Sequence, residues 1–282
     1  MNFKELKHHF IQEIKPNYGE EEASFIFYIA LEYLTNWGRN EFIRLTNEPV
    51  EEAKELAFKN IISELKSGRP IQYIIGETIF YGLNFKVTPA VLIPRPETEE
   101  LVEWVLHKTN DAKGLLNVLD IGTGSGCIAI TLKKYNKNME VFAFDVSHDA
   151  LAIAEENAGL NDVQVNFIEA DILNYSSHNT YDVIVSNPPY IKEEEKADMH
   201  TNVLNYEPHL ALFVEDSRPL MFYIAIADFA KKNLRQDGYL FFEINEFLPL
   251  ETMDMLSDKG FKNIELKKDM QGKSRMICCR LN

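Results

Sequence analysis

In the second part of the chain, short apolar runs alternate with helical patterns, and this alternation strongly constrains the fold. The apolar runs cover residues 116–121, 141–144, 163–168 and 183–185. Strands that alternate with helices predict a parallel sheet with helices on both faces. Ligands of such sheets bind at the carboxyl ends of the strands. The residues that follow each run are therefore candidate site residues.

Residues 1–70 are predicted to form a small helical domain. One apolar stripe recurs at three- and four-residue spacing through Phe3, Leu6, Phe10 and Ile14. Residues 23–34 are apolar nearly all round, which predicts a central, buried helix. Asn47 is predicted to cap a further helix that ends at Gly68. No residue pattern here indicates chemistry, so we expect a role in packing or in partner recognition.

Residues 71–96 have the character of a connector between domains. Two extended segments, 79–81 and 84–87, flank Gly82 and predict a hairpin. Three prolines then interrupt the chain, at Pro89, Pro94 and Pro96. The remaining residues, 97–282, are expected to form the α/β domain that carries the alternating strands and helices.

The segment Pro94-Arg95-Pro96-Glu97 ends this connector. It is typical of a rigid linker that opens a helix, with Glu97 favouring the helix N-terminus. That interpretation explains the prolines but does not explain the arginine between them. We therefore consider Arg95 and Glu97 as candidate substrate-binding residues.

A glycine-rich turn, Gly122-Thr123-Gly124-Ser125-Gly126, follows the first of the apolar runs. Glycines let a backbone pass close to a ligand, and the helix that follows offers free N–H groups at its start. The G-x-G-x-G spacing differs from the G-x-G-x-x-G fingerprint of dinucleotide-binding folds. Alone, the turn is weak evidence for a nucleotide-like ligand.

Two acidic residues follow the next two strands. Asp145 lies 19 residues beyond Gly126, a spacing at which a carboxylate can accept both ribose hydroxyls of an adenosine. Asp145 could instead be the N-cap or the first-turn acid of a helix over residues 147–158. Asp171 follows the third strand, again at the edge where ligands of open sheets gather.

The fourth strand ends in Asn187-Pro188-Pro189-Tyr190. Neither proline can donate a backbone hydrogen bond, so the segment is stiff and cannot extend the strand. It presents the side-chain amide of Asn187, the carbonyl of Pro188 and the ring of Tyr190, a set that suits a flat substrate with an NH2 group. Asn-Pro-Pro is also a common turn signal, so the argument depends on the upstream residues as well.

Composition and charge limit the alternatives. The net charge of −15 is opposite to the basic footprint that nucleic-acid binding requires. The charged start has no apolar core of a signal peptide, and no apolar run is long enough to cross a membrane. The three cysteines and seven histidines lack metal-ligand spacing, so no metal site is expected. These features favour a cytoplasmic protein without a nucleic-acid or membrane partner, and we expect a monomer.

Taken together, these residues resemble the S-adenosylmethionine-dependent methyltransferases and, among them, the release factor glutamine N5-methyltransferases of the HemK/PrmC type. The resemblance covers nearly the whole chain. Its motifs are Pro70-Ile71-Gln72-Tyr73 with Gly76, Ile93-Pro94-Arg95-Pro96-Glu97-Thr98-Glu99, Leu119-Asp120-Ile121-Gly122-Thr123-Gly124-Ser125-Gly126, Ser186-Asn187-Pro188-Pro189-Tyr190, Glu207-Pro208 and the stretch 269–275. The chain departs from the family pattern at residues 211–216, where a Gly-rich run is usual, and at Ile244-Asn245, where a histidine-glycine or similar pair is usual.

The resemblance implies an α/β fold: a Rossmann-like, seven-stranded methyltransferase domain whose last strand is antiparallel, preceded by a small all-α domain and a β-hairpin linker. It implies S-adenosyl-L-methionine as cofactor. Residues 122–126 and Asp120 would lie near its methionine part, Asp145 would bind the ribose, and Asp171 with Ile172 would meet the adenine.

The substrate that the resemblance implies is the glutamine of the Gly-Gly-Gln motif in class I peptide-chain release factors. Asn187 and the Pro188 carbonyl would accept hydrogen bonds from its amide, and Asn187 would also lie against the cofactor. Tyr190 would hold the amide in place, and Pro189 would complete the substrate-binding segment.

Three rival functions share part of this pattern. An N6-adenine methyltransferase of DNA or RNA could use the same tetrad, but it would need a flipped base and a basic track. An NAD-dependent oxidoreductase could use the glycines and Asp145, but the glycine spacing and the tetrad argue against it. A non-catalytic adaptor would have no need of the intact segment from Asn187 to Tyr190.

Overall fold

The computed structural model describes residues 1–281, apart from the side chain of Asp198. The helices are α1 (Phe3–Thr35), α2 (Arg39–Leu45), α3 (Glu52–Lys66), α4 (Ile71–Ile75), α5 (Pro96–Thr109), α6 (Cys127–Tyr135), α7 (His148–Leu160), α8 (Thr201–Tyr206), α9 (Met221–Asn233) and α10 (Pro249–Asp258). The strands are β1 (Glu77–Phe80), β2 (Leu83–Lys86), β3 (Leu116–Ile121), β4 (Met139–Asp145), β5 (Asn166–Glu169), β6 (Tyr181–Ser186), β7 (Ile191–Lys192), β8 (Phe213–Val214), β9 (Leu234–Glu243), β10 (Lys262–Lys268) and β11 (Ser274–Arg280).

Within residues 1–281, seven strands form the central sheet, in the order β10-β11-β9-β6-β3-β4-β5. Strands β3, β4, β5, β6 and β9 are parallel, and β11 runs antiparallel to β9. The strand order changes direction between β3 and β6, and ligands of open α/β sheets bind at such a point. The predicted Rossmann-like α/β fold with an antiparallel last strand is confirmed.

Alternate residues of the sheet face two separate hydrophobic cores. Val118 packs in one core with α5 and α6, and its neighbour Leu119 packs in the other with α9 and α10. The hairpin of β1 and β2 closes the first core through Phe80 and Phe85. Because both faces are covered, the middle residues of the central strands are mainly apolar on both faces instead of alternating with polar ones.

The chain divides into two compact units. One unit contains Met1–Glu77 together with His200–Tyr206. The other contains Thr78–Met199 and the residues from Glu207 onward. The division lies at residue 77, whereas the sequence suggested boundaries at residues 70 and 96, and from Thr78 onward the hairpin belongs to the second unit.

The helical unit has a core of aromatic rings. The rings of Phe27 and Phe58 stack at 5.9 Å, and Phe10 meets both of them edge-on. Gly19 (φ 74°) breaks the regular geometry of α1. Asn2 caps α1 in a capping box with Glu5, as the pattern Asn-x-x-Glu favours.

The prediction that Asn47 caps a helix is wrong, because α3 begins at Glu52. The start of the chain holds the preceding residues in an extended conformation. Asn2 and Pro49 form a β-bridge, and the Val50 N–H donates to the Met1 carbonyl at 2.9 Å. A residue held in this way cannot also adopt helical φ and ψ angles, so the helix starts later.

The sequence of residues 199–213 has little periodicity and predicts a loop over the site, but this prediction is wrong in part, because the segment contains α8 and the start of β8. The Asn202 Nδ2 donates to the Tyr18 hydroxyl oxygen at 3.3 Å, and the Tyr206 hydroxyl donates to the Ser67 carbonyl at 3.0 Å. These bonds join residues that are far apart in sequence. The sequence pattern of a six-residue helix is too short to predict such bonds.

Candidate active site

The glycine turn joins β3 to α6 at the carboxyl edge of the sheet. The N–H groups of Gly122 and Thr123 donate to the Phe144 carbonyl at 2.8 and 2.9 Å, which fixes the turn against β4. Gly122 (φ 75°) and Gly124 (φ 54°) have left-handed backbone angles, and a Cβ atom at either would have open space around it. The turn is thus a bare stretch of backbone that a ligand can approach closely.

Asp120 lies beneath this turn and is completely buried. Its Oδ2 accepts a hydrogen bond from the Thr123 hydroxyl at 2.6 Å, whereas its Oδ1 forms no hydrogen bond among the described residues. Burial, with a smaller contribution from the nearby charge of Asp145, raises the pKa of Asp120 to about 7. Asp120 supports the turn from below and is not part of the cavity wall.

Asp145 joins the glycine turn to the start of α7. Its Oδ2 accepts from the Gly124 N–H at 2.8 Å, and its Oδ1 accepts from the Ser147 N–H at 2.9 Å. Burial raises the pKa of its carboxyl above the ordinary value. The alternative that Asp145 caps α7 is wrong, because Ser147 is the N-cap and accepts from the Ala150 N–H. Each Asp145 oxygen keeps a second lone pair for a ligand.

Asp171 and Ile172 lie just beyond the end of β5 and line the same cavity as Asp145. The Asp171 carboxylate accepts from the Leu173 N–H at 3.0 Å and from the Asn174 side-chain amide at 2.7 Å. These bonds hold the segment in a tight turn. Two carboxylates from neighbouring strands therefore face one space.

Asn187 follows β6, which pairs with β3 and so brings the tetrad beside the glycine turn. The Ser186 hydroxyl donates to the Ile121 carbonyl at 2.6 Å and ties the two strand ends together. The Asn187 Nδ2 donates to the Thr98 hydroxyl oxygen at 3.2 Å. The amide of Asn187 is thus held by a residue of α5.

Glu243 ends β9 and lies behind the tetrad, with 2% of its surface exposed. Its Oε2 accepts from the Thr98 hydroxyl at 2.7 Å, and its Oε1 accepts from the Tyr190 hydroxyl at 3.1 Å. Burial raises the pKa of Glu243 despite these bonds and the positive charge of Arg275. Burial, followed by the negative charge of Glu243, raises the pKa of Tyr190. The Tyr190 hydroxyl is therefore a neutral donor.

Asn245 stands at one of the departures from the family pattern. Its Nδ2 donates to the Tyr190 carbonyl at 3.0 Å and to Glu195 Oε1 at 3.0 Å. Its Oδ1 accepts from the Phe247 N–H at 2.9 Å. In this chain Asn245 fastens the end of the tetrad to the turn after β9.

These elements surround one cavity of about 290 Å³. The predicted site residues in its wall are Arg95, Gly122, Thr123, Gly124, Ser125, Asp145, Asp171, Ile172, Asn187, Pro188 and Pro189. Outside the wall lie Asp120, Gly126, Glu97 and Tyr190. No group of three or more His, Cys, Asp or Glu side chains in the described part of the chain is arranged to hold a metal ion.

Arg95 lines the cavity but is already paired with a protein carboxylate. Its Nη2 donates to Glu207 Oε1 at 2.5 Å, and the Glu207 side chain is 1% exposed. Glu207 Oε2 also accepts from the Ile93 N–H at 3.2 Å. The ion pair joins the Pro-Arg-Pro segment to the wall formed by Pro208 and Leu210.

Comparisons with known proteins agree with this architecture. A family model of the PrmC N-terminal domain matches residues 5–76, and a model of the methyltransferase small domain matches residues 101–208. A release factor glutamine methyltransferase from Flavobacterium psychrophilum is 47% identical over 98% of each chain. The chain belongs to the release factor glutamine methyltransferase family.

A further family member, the release factor glutamine methyltransferase from Bacteroides thetaiotaomicron, is 46% identical over 79% of this chain and 80% of its own. The RsmC 16S rRNA methyltransferase of Thermus thermophilus, solved with AdoMet and guanosine, has a TM-score of 0.54 at 18% identity. The likeness covers 73% of this chain and 50% of that one, and shows the shared fold. The chain is thus an enzyme with a methyltransferase fold.

Two polar residues of this methyltransferase escaped assignment from the sequence. The sequence indicated no role for Thr98 or Glu243. Thr98 bonds to Asn187 and to Glu243, yet Thr98 and Glu243 lie 145 residues apart in the chain. The residue types alone were a weak signal: a glutamate at the end of a buried strand requires hydrogen-bond donors around it, and a threonine hydroxyl can be one.

Within residues 1–281, no helix is long and apolar enough to cross a membrane.

Proposed function

We propose that this methyltransferase transfers the methyl group of S-adenosylmethionine to the side-chain amide nitrogen of glutamine in the Gly-Gly-Gln motif of class I release factors. The proposal rests on the position of Asn187, at a strand end in the wall of the cavity that the glycine turn and Asp145 also line. An acceptor for an NH2 group thus stands beside a site suited to an adenosine. Membership of the family supports the substrate class.

The cavity fits the cofactor on several independent grounds. The open space above Gly122 and Gly124 suits a close approach by the methionine part. Asp145 offers lone pairs to two ribose hydroxyls, and the Asp171–Ile172 turn offers a polar and an apolar group to an adenine. The buried carboxyl of Asp120 supports the turn from beneath.

Asn187 and Pro188 would act on the substrate amide. A glutamine amide is a poor nucleophile, because the nitrogen lone pair is delocalised into the carbonyl. Hydrogen bonds from its NH2 group to Asn187 Oδ1 and the Pro188 carbonyl favour a more pyramidal, more electron-rich nitrogen. S-adenosylmethionine supplies an electrophilic methyl group when bound. The nitrogen's surplus proton leaves to solvent, so no strong base is required.

Tyr190 and the residues ahead of α5 would complete the substrate site. Glu243 holds the Tyr190 hydroxyl, which leaves the ring as the part that could contact the amide. Arg95 would shape the entrance through its ion pair with Glu207, together with Pro189. Glu97 is half-buried close to Glu243 and would contact the release factor near the motif.

We further propose that the helical region of residues 1–70 recognises the release factor, that residues 71–96 connect it to the catalytic domain of residues 97–282, and that the enzyme acts as a cytoplasmic monomer. Truncation of the helical region is then expected to raise KM for the release factor more than it lowers the affinity for S-adenosylmethionine. An equal loss of affinity for the release factor and for S-adenosylmethionine would contradict this role.

A methyl-transfer assay tests the proposed function. Purified enzyme and labelled S-adenosylmethionine are incubated with an unmethylated release factor, and the label is located by peptide mass spectrometry. A release factor with glutamate in place of the motif glutamine is the control. We expect one methyl group on the motif glutamine and none on the control. Label on both proteins, or label only on an adenine-containing nucleic acid, would overturn the proposal.

A further inference from the structure

The hydroxyl group of Thr98 connects Asn187 to the buried carboxylate of Glu243. We infer that Thr98, held by Glu243, is a positioning residue that decides which end of the Asn187 amide faces the substrate. The inference rests on the proposed function for its catalytic consequence, but its structural part does not depend on the substrate.

The direction of the hydrogen bonds follows from counting hydrogens. Thr98 has one hydroxyl hydrogen, and the hydroxyl oxygen lies 2.7 Å from Glu243 Oε2. The hydroxyl donates this hydrogen to Oε2, and the other carboxylate oxygen, Oε1, accepts from the Tyr190 hydroxyl, so both oxygens of Glu243 act as acceptors. The Thr98 hydrogen is therefore committed to Glu243. Thr98 can offer Asn187 only a lone pair.

A lone pair on Thr98 selects one orientation of the Asn187 amide. The NH2 group must point to Thr98, as the Nδ2 to Oγ1 distance of 3.2 Å shows. The Asn187 side chain forms no other hydrogen bond within residues 1–281, and Asn187 lines the cavity. The oxygen Oδ1 is thus the end of the amide that remains for a ligand.

The opposite orientation would disable the site for an NH2 substrate. It would present the two hydrogens of Asn187 to the two hydrogens of the substrate amide, so donors would face donors. It would also leave the Thr98 lone pair against the Asn187 oxygen. Thr98 lines the cavity as well, and we infer that its hydroxyl acts on the reaction by orienting Asn187.

Glu243 controls the other end of the tetrad as well. Its second oxygen accepts from the Tyr190 hydroxyl at 3.1 Å, and its own position is fixed at the end of β9. One buried carboxylate thus orients Asn187 through Thr98 and Tyr190 directly. Burial raises the pKa of Glu243, and the positive charge of Arg275, which is 13% exposed and bonded to Asp269 at 3.2 Å, opposes that rise.

Threonine-to-valine substitutions test this role, because valine keeps the shape and removes the hydroxyl. Thr98→Val removes the lone pair that orients Asn187, and Thr98→Ser restores it. Thr109→Val is the matched control: Thr109 lies on the same helix, is equally buried and bonds to the Val105 carbonyl at 2.8 Å. It lies outside the cavity wall.

We expect Thr98→Val to lower kcat for glutamine methylation by roughly 10- to 100-fold, the scale of a misplaced catalytic contact. Its affinity for S-adenosylhomocysteine should change by less than about threefold, a shift smaller than one hydrogen bond. Thr98→Ser should regain most of the lost kcat, and Thr109→Val should keep the wild-type kcat. Equal kcat in wild type and Thr98→Val, or a similar loss in Thr98→Ser, would overturn the inference.

A second measurement separates this inference from the proposed function. In ¹⁵N-labelled enzyme without substrate, the Asn187 side-chain amide is assigned by its absence in Asn187→Ala. We expect its hydrogens to exchange with solvent roughly tenfold faster in Thr98→Val than in wild type, the worth of one hydrogen bond. Thr109→Val should not change the rate. An unchanged rate in Thr98→Val would contradict the inference even if release factor methylation is confirmed.

Discussion

The two sides of the cavity are held together by different kinds of contact. On the side proposed for the cofactor, the glycine turn is fixed by backbone N–H groups, and the Gly124 bond to Asp145 spans 21 positions. On the side proposed for the substrate, Asn187 is fixed by side-chain bonds to Thr98 and from there to Glu243, which span 89 and 145 positions. The first set of contacts belongs to a local turn, whereas the second set joins residues that come together only in the assembled fold.

This difference indicates which amino-acid substitutions each side of the cavity tolerates. A turn of bare backbone depends on the absence of side chains at Gly122 and Gly124, so added atoms harm it. A chain of side-chain hydrogen bonds depends on every hydroxyl and carboxylate in it, so removed atoms harm it. The cofactor side is expected to respond in binding and the substrate side in turnover.

The largest expected effect is on turnover in Asn187→Ala. Loss of the acceptor for the substrate amide is expected to lower kcat by roughly 10²- to 10³-fold, as for one lost oxyanion donor. The dissociation constant for S-adenosylmethionine should change far less. Steady-state kinetics and calorimetry on one preparation measure both quantities. Asn110→Ala, at an exposed position that ends α5, serves as the control. Comparable losses in turnover and cofactor affinity would mean that Asn187 is structural.

Asp145→Ala is expected to weaken cofactor binding more than it lowers turnover. It removes the carboxylate proposed for the ribose, so cofactor affinity should fall by roughly 10- to 100-fold, the range for hydrogen bonds to a charged group. Calorimetry with S-adenosylhomocysteine measures this. Asp182→Ala is the matched control, because Asp182 also accepts a backbone N–H, from Asn117 at 2.7 Å, but lies outside the cavity wall. Unaltered affinity in Asp145→Ala would limit its role to holding the start of α7.

Two glycines of the turn separate ligand contact from packing. At Gly126 (φ 81°) an added Cβ would lie 2.7 Å from Ile130 Cδ1 and 3.2 Å from Ala154 Cβ, so Gly126→Ala should destabilise the fold by about 1–3 kcal/mol beyond the strain of its left-handed backbone. At Gly122 the added atom has open space, so Gly122→Ala should cost only about 1–2 kcal/mol of backbone strain but weaken cofactor binding. Urea unfolding and calorimetry distinguish the two. Weaker cofactor binding in Gly126→Ala than in Gly122→Ala would contradict the assignment of Gly122 to ligand contact.

The last expected effect is a pH dependence of stability that originates at Asp120 and adds at most about 1.4 kcal/mol for each pH unit. Its pKa is about 7 in the folded chain, above the unfolded value, so the folded state keeps a proton that the unfolded state releases. This contribution to stability is present at low pH and is lost as pH rises toward 7. Between pH 5 and 7, the free energy of unfolding measured with urea should fall more steeply with pH in wild type than in Asp120→Asn. Equal slopes in the two proteins would exclude Asp120 as the source of the pH dependence.

The contrast between the two sides also explains how much the sequence could predict. The strand after residue 115, the glycine turn and Asp145 follow one another within about one strand-helix-strand unit, so local periodicity and spacing located them. Asn187 was located because it ends a strand of the same series. Thr98 and Glu243 were not assigned, because the bonds from Asn187 to Thr98 and from Thr98 to Glu243 form only when α5, β6 and β9 come together in the fold.

Two errors elsewhere have the same origin. The helix predicted to start at Asn47 is delayed because the first residues of the chain pair with Pro49. The segment predicted as a loop contains α8 because Asn202 and Tyr206 bond to Tyr18 and Ser67. In each case a contact distant in sequence overrides the local pattern, and single-sequence reasoning has no access to it.

The most direct test is a crystal structure of the enzyme with S-adenosylhomocysteine and a peptide that contains the Gly-Gly-Gln motif. We expect the glutamine side-chain nitrogen within about 2.7–3.2 Å of both Asn187 Oδ1 and the Pro188 carbonyl oxygen. The adenosine should lie between the glycine turn and Asp171, with its ribose at Asp145. A glutamine whose side-chain oxygen faces Asn187, or a peptide bound away from the tetrad, would contradict the account.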